Sequence, residues 1–173
     1  MCYISCDSNQ VKGMIRMQNQ SIGKYISSIY RYQSILINKQ FQPFGIGCGQ
    51  YIFLIHIAQN PGINQKDLSE RVMIDRANTH RAIKKLSSLG YIHTHRDEND
   101  KRIIKSYLTE EGKGFLPEIK RGLANITDSM LENFDDAQRT MIFSLLEKIE
   151  QNVQDHVRSQ REEQTWRQTK DSI

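Results

Sequence analysis

From Ser21 onward the isoleucines Ile22, Ile26, Ile29 and Ile37 recur at steps of three, four or their sums, which is the spacing of one helix face, and Ser21 stands where a cap is wanted. This predicts a first helix to about Lys39. Pro43, Gly45, Gly47 and Gly49 then interrupt it. Between Gly49 and Gln59 the apolar residues Tyr51, Ile52, Phe53, Leu54, Ile55, Ile57 and Ala58 fall on nearly every side, predicting a short helix buried over most of its surface. Asn60-Pro61-Gly62 reads as a turn, and Asn64 with Asp67 as a capping-box-like start to a short helix through about Val72. A further helix opens at Asp75, whose carboxylate can accept from the N–H of Ala77 or Asn78, and runs to Leu89, where Gly90 supplies the left-handed residue that stops it.

Two β-prone runs follow, Tyr91 to Arg96 and Ile103 to Leu108, joined by the charged stretch Asp97-Glu98-Asn99-Asp100-Lys101-Arg102; this is a hairpin with a long exposed tip. Thr109 with Glu110-Glu111 starts a long helix to about Asn133, in which Pro117 marks a kink or a restart. Asp135-Asp136 opens a last helix with a stripe of Ile142, Leu145, Ile149, Val153 and Val157. The predicted architecture is therefore mainly α with a small β-hairpin wing: a winged helix-turn-helix lobe joined to a separate helical region. Residues 1–20 are expected to form a loosely ordered extension and residues 158–173 a fraying tail, leaving 21–157 as the domain.

A chain of 173 residues, 38% hydrophobic, can bury one ordinary core, and no shift in composition divides it. No apolar run approaches the roughly 18 to 20 residues of a membrane span, and the start Met1-Cys2-Tyr3-Ile4-Ser5-Cys6 lacks the pattern of a secretory signal, so a cytoplasmic protein without membrane contact is expected. The three cysteines, Cys2, Cys6 and Cys48, are odd in number and irregular in spacing, which supports neither a disulfide framework nor a zinc site. Charge is unevenly placed. Between Asp75 and Lys105 lie eight basic and four acidic residues, so this stretch alone equals the net charge of +4.

Projected at 100° per residue, the helix from Asp75 puts Thr79, Ala82, Ile83, Leu86 and Leu89 on one side and Ala77, His80, Arg81, Lys84 and Ser88 on the other. A face so small, polar and basic can enter a major groove. There Arg81 can pair with guanine O6 and N7, His80 can meet base edges and Ala77 can touch a thymine methyl, while Arg76, Lys84 and Lys85 suit phosphates. In the wing, Arg102 can slot into a narrow minor groove, with Asp100 holding its guanidinium in a bidentate pair. Asn78, Arg96 and Lys101 complete the expected contact set, and the expected partner is double-stranded DNA. Taken alone, the basic stripe would read as a solvated amphipathic face; the flanking helix and hairpin decide for DNA. A winged-helix module that binds protein instead of DNA is the competing class. An enzyme is not expected, because no phosphate-cradling loop, nucleophile elbow or metal-binding histidine motif is present.

These elements carry a resemblance. Leu86-Ser-Ser-Leu-Gly90-Tyr-Ile92, Arg96, Asp100-Lys-Arg102 and Leu108-Thr109-Glu-Glu-Gly112, together with Gln50-Tyr51 and Asn64-Gln-Lys-Asp-Leu68, resemble the MarR family over roughly residues 21 to 157. The resemblance implies an obligate homodimer. Its dimerisation helices would lie in 21–48 and 109–157 and its winged helix-turn-helix in 49–108, and it would read a pseudo-palindrome, usually as a repressor. It also implies that Arg102 reaches the minor groove and Arg81 the major groove, although His80 stands where many members have threonine. Release by a small phenolic or lipophilic effector is a further implication, with Tyr30 and His56 as candidate contacts by analogy. Cys48, between Gly47 and Gly49 just before the second helix, is a candidate redox sensor, since helix N-terminal amides favour a thiolate. His93 and His95 share one strand face but lack a third ligand, so neither a metal nor another cofactor is expected.

Overall fold

The computed structural model describes residues 21–170, without the side chains of residue 161 and of residues 164–170. The predicted extension over 1–20, with Cys2 and Cys6, lies outside the described residues. The chain divides after Ile126 into two compact units. The first contains α1 (Ile22–Phe41), a 3-10 turn (Gln42–Phe44), α2 (Tyr51–Gln59), β1 (Ile63–Asn64), α3 (Gln65–Val72), α4 (Arg76–Ser88), β2 (Ile92–Arg96), β3 (Ile104–Leu108) and most of α5 (Glu110–Met130). The second holds the last turn of α5 and α6 (Asp136–Lys170).

The caps foreseen in the sequence close these helices. Ser21 accepts from the Lys24 N–H, Asn64 from that of Asp67 and Asp75 from that of Asn78, each satisfying a donor that a helix start leaves free. Gly90 ends the α4 segment with φ of 80°, where a side chain would be strained. The wing is the antiparallel pair β2–β3, with Ile92 opposite Leu108 and Arg96 opposite Ile104. β1, a two-residue strand absent from the sequence-based expectation, adds to β3 with Ile63 opposite Ser106, so the sheet order is β1-β3-β2. This third strand ties the start of α3 to the wing.

The core of the first unit is made by Phe41 from α1, Phe53, Leu54 and Ile57 from α2, Leu68 from α3, Leu86 from α4 and Ile119 from α5, all at most 1% exposed. Burying each such side chain contributes about 1.5 to 3 kcal/mol. Phe115 gathers Phe41, Phe44 and Tyr91 at ring separations of 6.3, 4.6 and 5.0 Å. The junction from wing to α5 is a knot of short contacts. The Thr109 hydroxyl donates to the Gly90 carbonyl at 2.6 Å and accepts from the Gly112 N–H at 3.0 Å, while the Thr109 N–H donates to Tyr91 O at 3.0 Å.

Ser106 is fully buried at the centre of β3, and its hydroxyl has no hydrogen-bond partner among the described residues. An unpaired buried hydroxyl carries a desolvation cost with nothing to offset it. Ser106→Ala is therefore expected to raise stability by about 1 kcal/mol, read as a higher denaturation midpoint at unchanged m-value; a loss of stability would show that the hydroxyl is satisfied.

α5 runs unbroken through Pro117. Both Pro117 and Lys113, whose carbonyl loses its helical donor, are exposed, so water can take the missing partner's place and no restart is needed. In the second unit Asn133 turns the chain with φ of 67°, and Asp135 and Gln138 form a reciprocal box, Asp135 Oδ1 accepting from the Gln138 N–H at 2.8 Å and Gln138 Oε1 from the Asp135 N–H at 3.1 Å. Arg139 donates to Leu131 O and Phe134 O and meets Asp128 at 3.3 Å. α6 then continues to Lys170, beyond the expected end near Val157. The Arg-, Gln- and Glu-rich sequence after Val157 favours helix intrinsically.

Candidate nucleic-acid interface

α3 and α4 form the helix-turn-helix, and Met73, in the left-handed region at φ of 52°, makes the turn between them. Thr79, Ala82, Ile83 and Leu86 are buried, whereas Arg76, Ala77, Asn78, His80, Arg81, Lys84, Lys85 and Ser88 are all exposed, as the projection requires. The exposed polar groups are not independent. Asp75 accepts from the Asn78 N–H at 2.9 Å and from Asn78 Nδ2 at 2.5 Å, and Asn78 Oδ1 accepts from Arg81 Nη2 at 2.6 Å. The bonds from Asn78 hold the Asp75 carboxyl below its ordinary range, so the cap stays ionised. His80 Nδ1 lies 3.4 Å from Gln65 Oε1 on α3.

The wing tip is organised by Asp97. Its Oδ1 accepts from the N–H groups of Asn99 and Asp100 at 2.9 and 3.1 Å, and its Oδ2 pairs with Lys105 on β3 at 2.6 Å. The bond from Lys105, then those from the Asp100 and Asn99 N–H groups, lower its pKa from 3.8 to about 2. Because the folded carboxyl binds its proton more weakly than the unfolded one, this stabilisation is complete above pH 3.8 and disappears as the pH falls through about 2. Amide hydrogen exchange at Asn99 and Asp100 should accordingly accelerate across that window relative to α2 amides; protection that persists below pH 2 would contradict the assignment.

Asp100 and Arg102 meet differently from expectation. One contact joins Arg102 Nε to Asp100 Oδ1, at 3.5 Å, and the same oxygen accepts from the Arg102 backbone N–H at 3.0 Å. A carboxylate two residues before a backbone donor turns back onto its own chain, and this displaces the bidentate pair. The Arg102 side chain is thereby left 94% exposed. Arg96 and Lys101 are exposed beside it.

On the wing strands, the rings of His93 and His95 stand 5.0 Å apart and flank Tyr107. Asp97, the carboxylate next along the strand, is engaged by Lys105, and no group of three metal-ligating side chains converges among the described residues. A hollow of about 440 Å³ continues from His93 and Tyr107 to Ile57, Ala58, Pro61, Leu108, Lys113 and Leu116. Neither Tyr30 nor His56 lines it. Tyr30 is 65% exposed on α1, within electrostatic reach of Tyr51. His56 is half-buried on α2, its Nδ1 buried and without a partner among the described residues. Cys48 is a half-buried free thiol whose backbone N–H donates to Asn38 Oδ1 at 2.8 Å.

Sequence reasoning missed Gln65, Lys66 and Asp97. Gln65 and Lys66, in the first turn of α3, border a hollow of about 250 Å³ whose other wall is Arg102, Ile103 and Ile104. Projection of α3 by the same rule used for α4 would have placed Lys66 outward. The role of Asp97 needs the cross-strand register, which sequence does not display.

A basic helix presented by a helix-turn-helix, beside a wing carrying an exposed arginine, defines a winged helix-turn-helix DNA-binding regulator. Known proteins agree. The sequence profile of the MarR family matches residues 44–103. The HTH-type transcriptional regulator YybA of Bacillus subtilis is 35% identical over 129 residues, covering 75% of this chain and 86% of YybA. A MarR transcriptional regulator from Methanosarcina mazei superposes with a TM-score of 0.74 at 42% identity, over 78% of this chain and 96% of that one. A putative MarR family regulator from Listeria monocytogenes, solved with 26mer DNA, superposes with a TM-score of 0.70 at 31% identity, over 79% and 91%. The chain belongs to the MarR family of transcriptional regulators, and it is a regulator rather than an enzyme. No helix among the described residues is long and apolar enough to cross a membrane.

Proposed function

We propose that the protein is a homodimeric cytoplasmic repressor that reads a pseudo-palindromic duplex through α4 and the wing, and that a small aromatic or lipophilic molecule releases it. The observation that carries this reading is the joint exposure of Arg81, Lys84 and Arg102 on a scaffold whose opposite faces are buried. Arg81 serves a major-groove guanine, Arg102 the minor groove, and Arg76, Lys84 and Lys85 the phosphates. The listeria relative with its 26mer DNA supports duplex DNA as the partner.

Dimerisation is supported by apolar side chains that a single chain leaves in water. On α1, Ile22, Tyr25, Ile26, Ile29 and Tyr32 are 47 to 69% exposed, and on α6 Met141, Leu145, Leu146 and Val153 are 50 to 63% exposed. Helix faces of this kind are stable when a second copy covers them. For the effector, the hollow of about 440 Å³, lined by Ile57, Ala58, Leu108 and Leu116 with His93 and Tyr107, has the size and mixed lining of a small-molecule site.

Selection of bound sequences from a random duplex pool tests the reading. It is expected to enrich two inverted half-sites with centres about 10 base pairs apart, as a two-fold protein presenting two α4 helices requires. A single half-site, or no enrichment, would overturn it.

A further inference from the structure

The side chain of Asn78 has both of its polar atoms committed: Nδ2 donates to Asp75 Oδ2, and Oδ1 accepts from Arg81 Nη2. An asparagine that reads adenine aims one amide N–H at N7 and its carbonyl at the N6 amino group. Nδ2 keeps a second N–H and Oδ1 a second lone pair, but the two bonds fix the amide plane between Asp75 and Arg81. Arg81 is differently placed. A guanidinium carries several N–H donors in a rigid fork, so the bond from Nη2 to Asn78 leaves enough of them to engage guanine O6 and N7 together.

We propose that Asn78 is a positioning residue: through it, Asp75 holds the Arg81 guanidinium in the orientation with which Arg81 recognises guanine. Asp75 sits at the N-cap and is itself fixed by the Asn78 backbone N–H at 2.9 Å. The chain therefore runs from the capped end of α4 through one amide to the reading group, at successive three-residue steps along the helix. An exposed arginine otherwise loses much rotamer freedom on binding. Here part of that ordering is already present in the free protein. The low pKa of Asp75 fits the same arrangement, since an ionised carboxylate is the better acceptor.

This inference rests on the DNA-reading role of α4 proposed above. Its test uses the full-length protein and the duplex selected by it, measured by fluorescence anisotropy against every single-base-pair variant of one half-site. Wild type, Asn78→Ala, Asp75→Ser, Arg81→Ala and the Asn78→Ala/Arg81→Ala double variant are compared, with circular dichroism to confirm that each is folded. Arg81→Ala is expected to lose about tenfold or more of the discrimination at one G·C pair. Asn78→Ala should lose about three- to tenfold at that same pair, and nothing further once Arg81 is absent. Asp75→Ser, which keeps a cap but removes the second carboxylate oxygen, should weaken the same pair, and the salt dependence of all four variants that retain the phosphate-facing lysines should stay that of wild type. Loss at a different base pair, loss that persists undiminished without Arg81, or no loss in Asn78→Ala while wild type discriminates, overturns the positioning role alone. A wild type without preference at any base pair overturns the reading of α4 itself, and this inference with it.

Discussion

Gly112→Ala is expected to unfold much of the first unit's stability. A Cβ built on Gly112 would lie 2.0 Å from the Tyr91 carbonyl oxygen, a backbone atom that already accepts from the Thr109 N–H at 3.0 Å. Neither group is the end of a flexible side chain, so relief requires moving the junction between β2 and α5, and with it the Thr109 hydroxyl that bridges Gly90 and Gly112. The cost should reach about 3 kcal/mol, seen as a fall of about 10 °C in melting temperature for a chain of this size. Gly114 provides the control. Nothing lies within 4 Å of its Cβ position, and it stands exposed in the same helix, so Gly114→Ala should stabilise by up to about 1 kcal/mol. Equal effects from the two substitutions would show that the close approach at Gly112 is relieved without loss.

Arg102→Ala should separate binding from stability. Its side chain is 94% exposed and its one ionic contact is a 3.5 Å approach to Asp100, so the melting temperature should not move. Affinity for the selected duplex should fall by about 10- to 100-fold per lobe, the loss of one well-placed groove contact. Arg102→Lys should recover only part of this, because a hydrated ammonium enters a narrow minor groove less readily than a guanidinium. Full activity of the lysine variant would reduce the role of Arg102 to that of a phosphate-binding charge.

The recognition helix was legible in the sequence because three independent signals agreed. Asp75 marked its start and Gly90 its end, and the steps Thr79, Ala82, Ile83 and Leu86 fixed its buried side. The wing strands were legible as two β-prone runs on either side of a charged tip. What escaped was either too short or too relational. β1 has two residues and no period to detect, and it exists because β3 offers it an edge. The Asp97–Lys105 pair depends on register, and the Asn78–Arg81 bond depends on side-chain conformations that spacing merely permits. The expected Asp100–Arg102 fork gave way to a backbone bond that residues two apart form more readily. The end of α6 was misplaced because the loss of an apolar stripe marks the end of an amphipathic face, not of the helix.

The most direct measurement of the central claim is the affinity of the full-length protein for its selected duplex between 50 and 200 mM salt. Arg76, Lys84 and Lys85 from each of two lobes neutralising phosphates predict a log–log slope of about −5, with unselected duplex bound far more weakly at every salt concentration. Weak binding that is equal for selected and unselected DNA and insensitive to salt would contradict the account, and would assign the basic face of α4 to a protein partner.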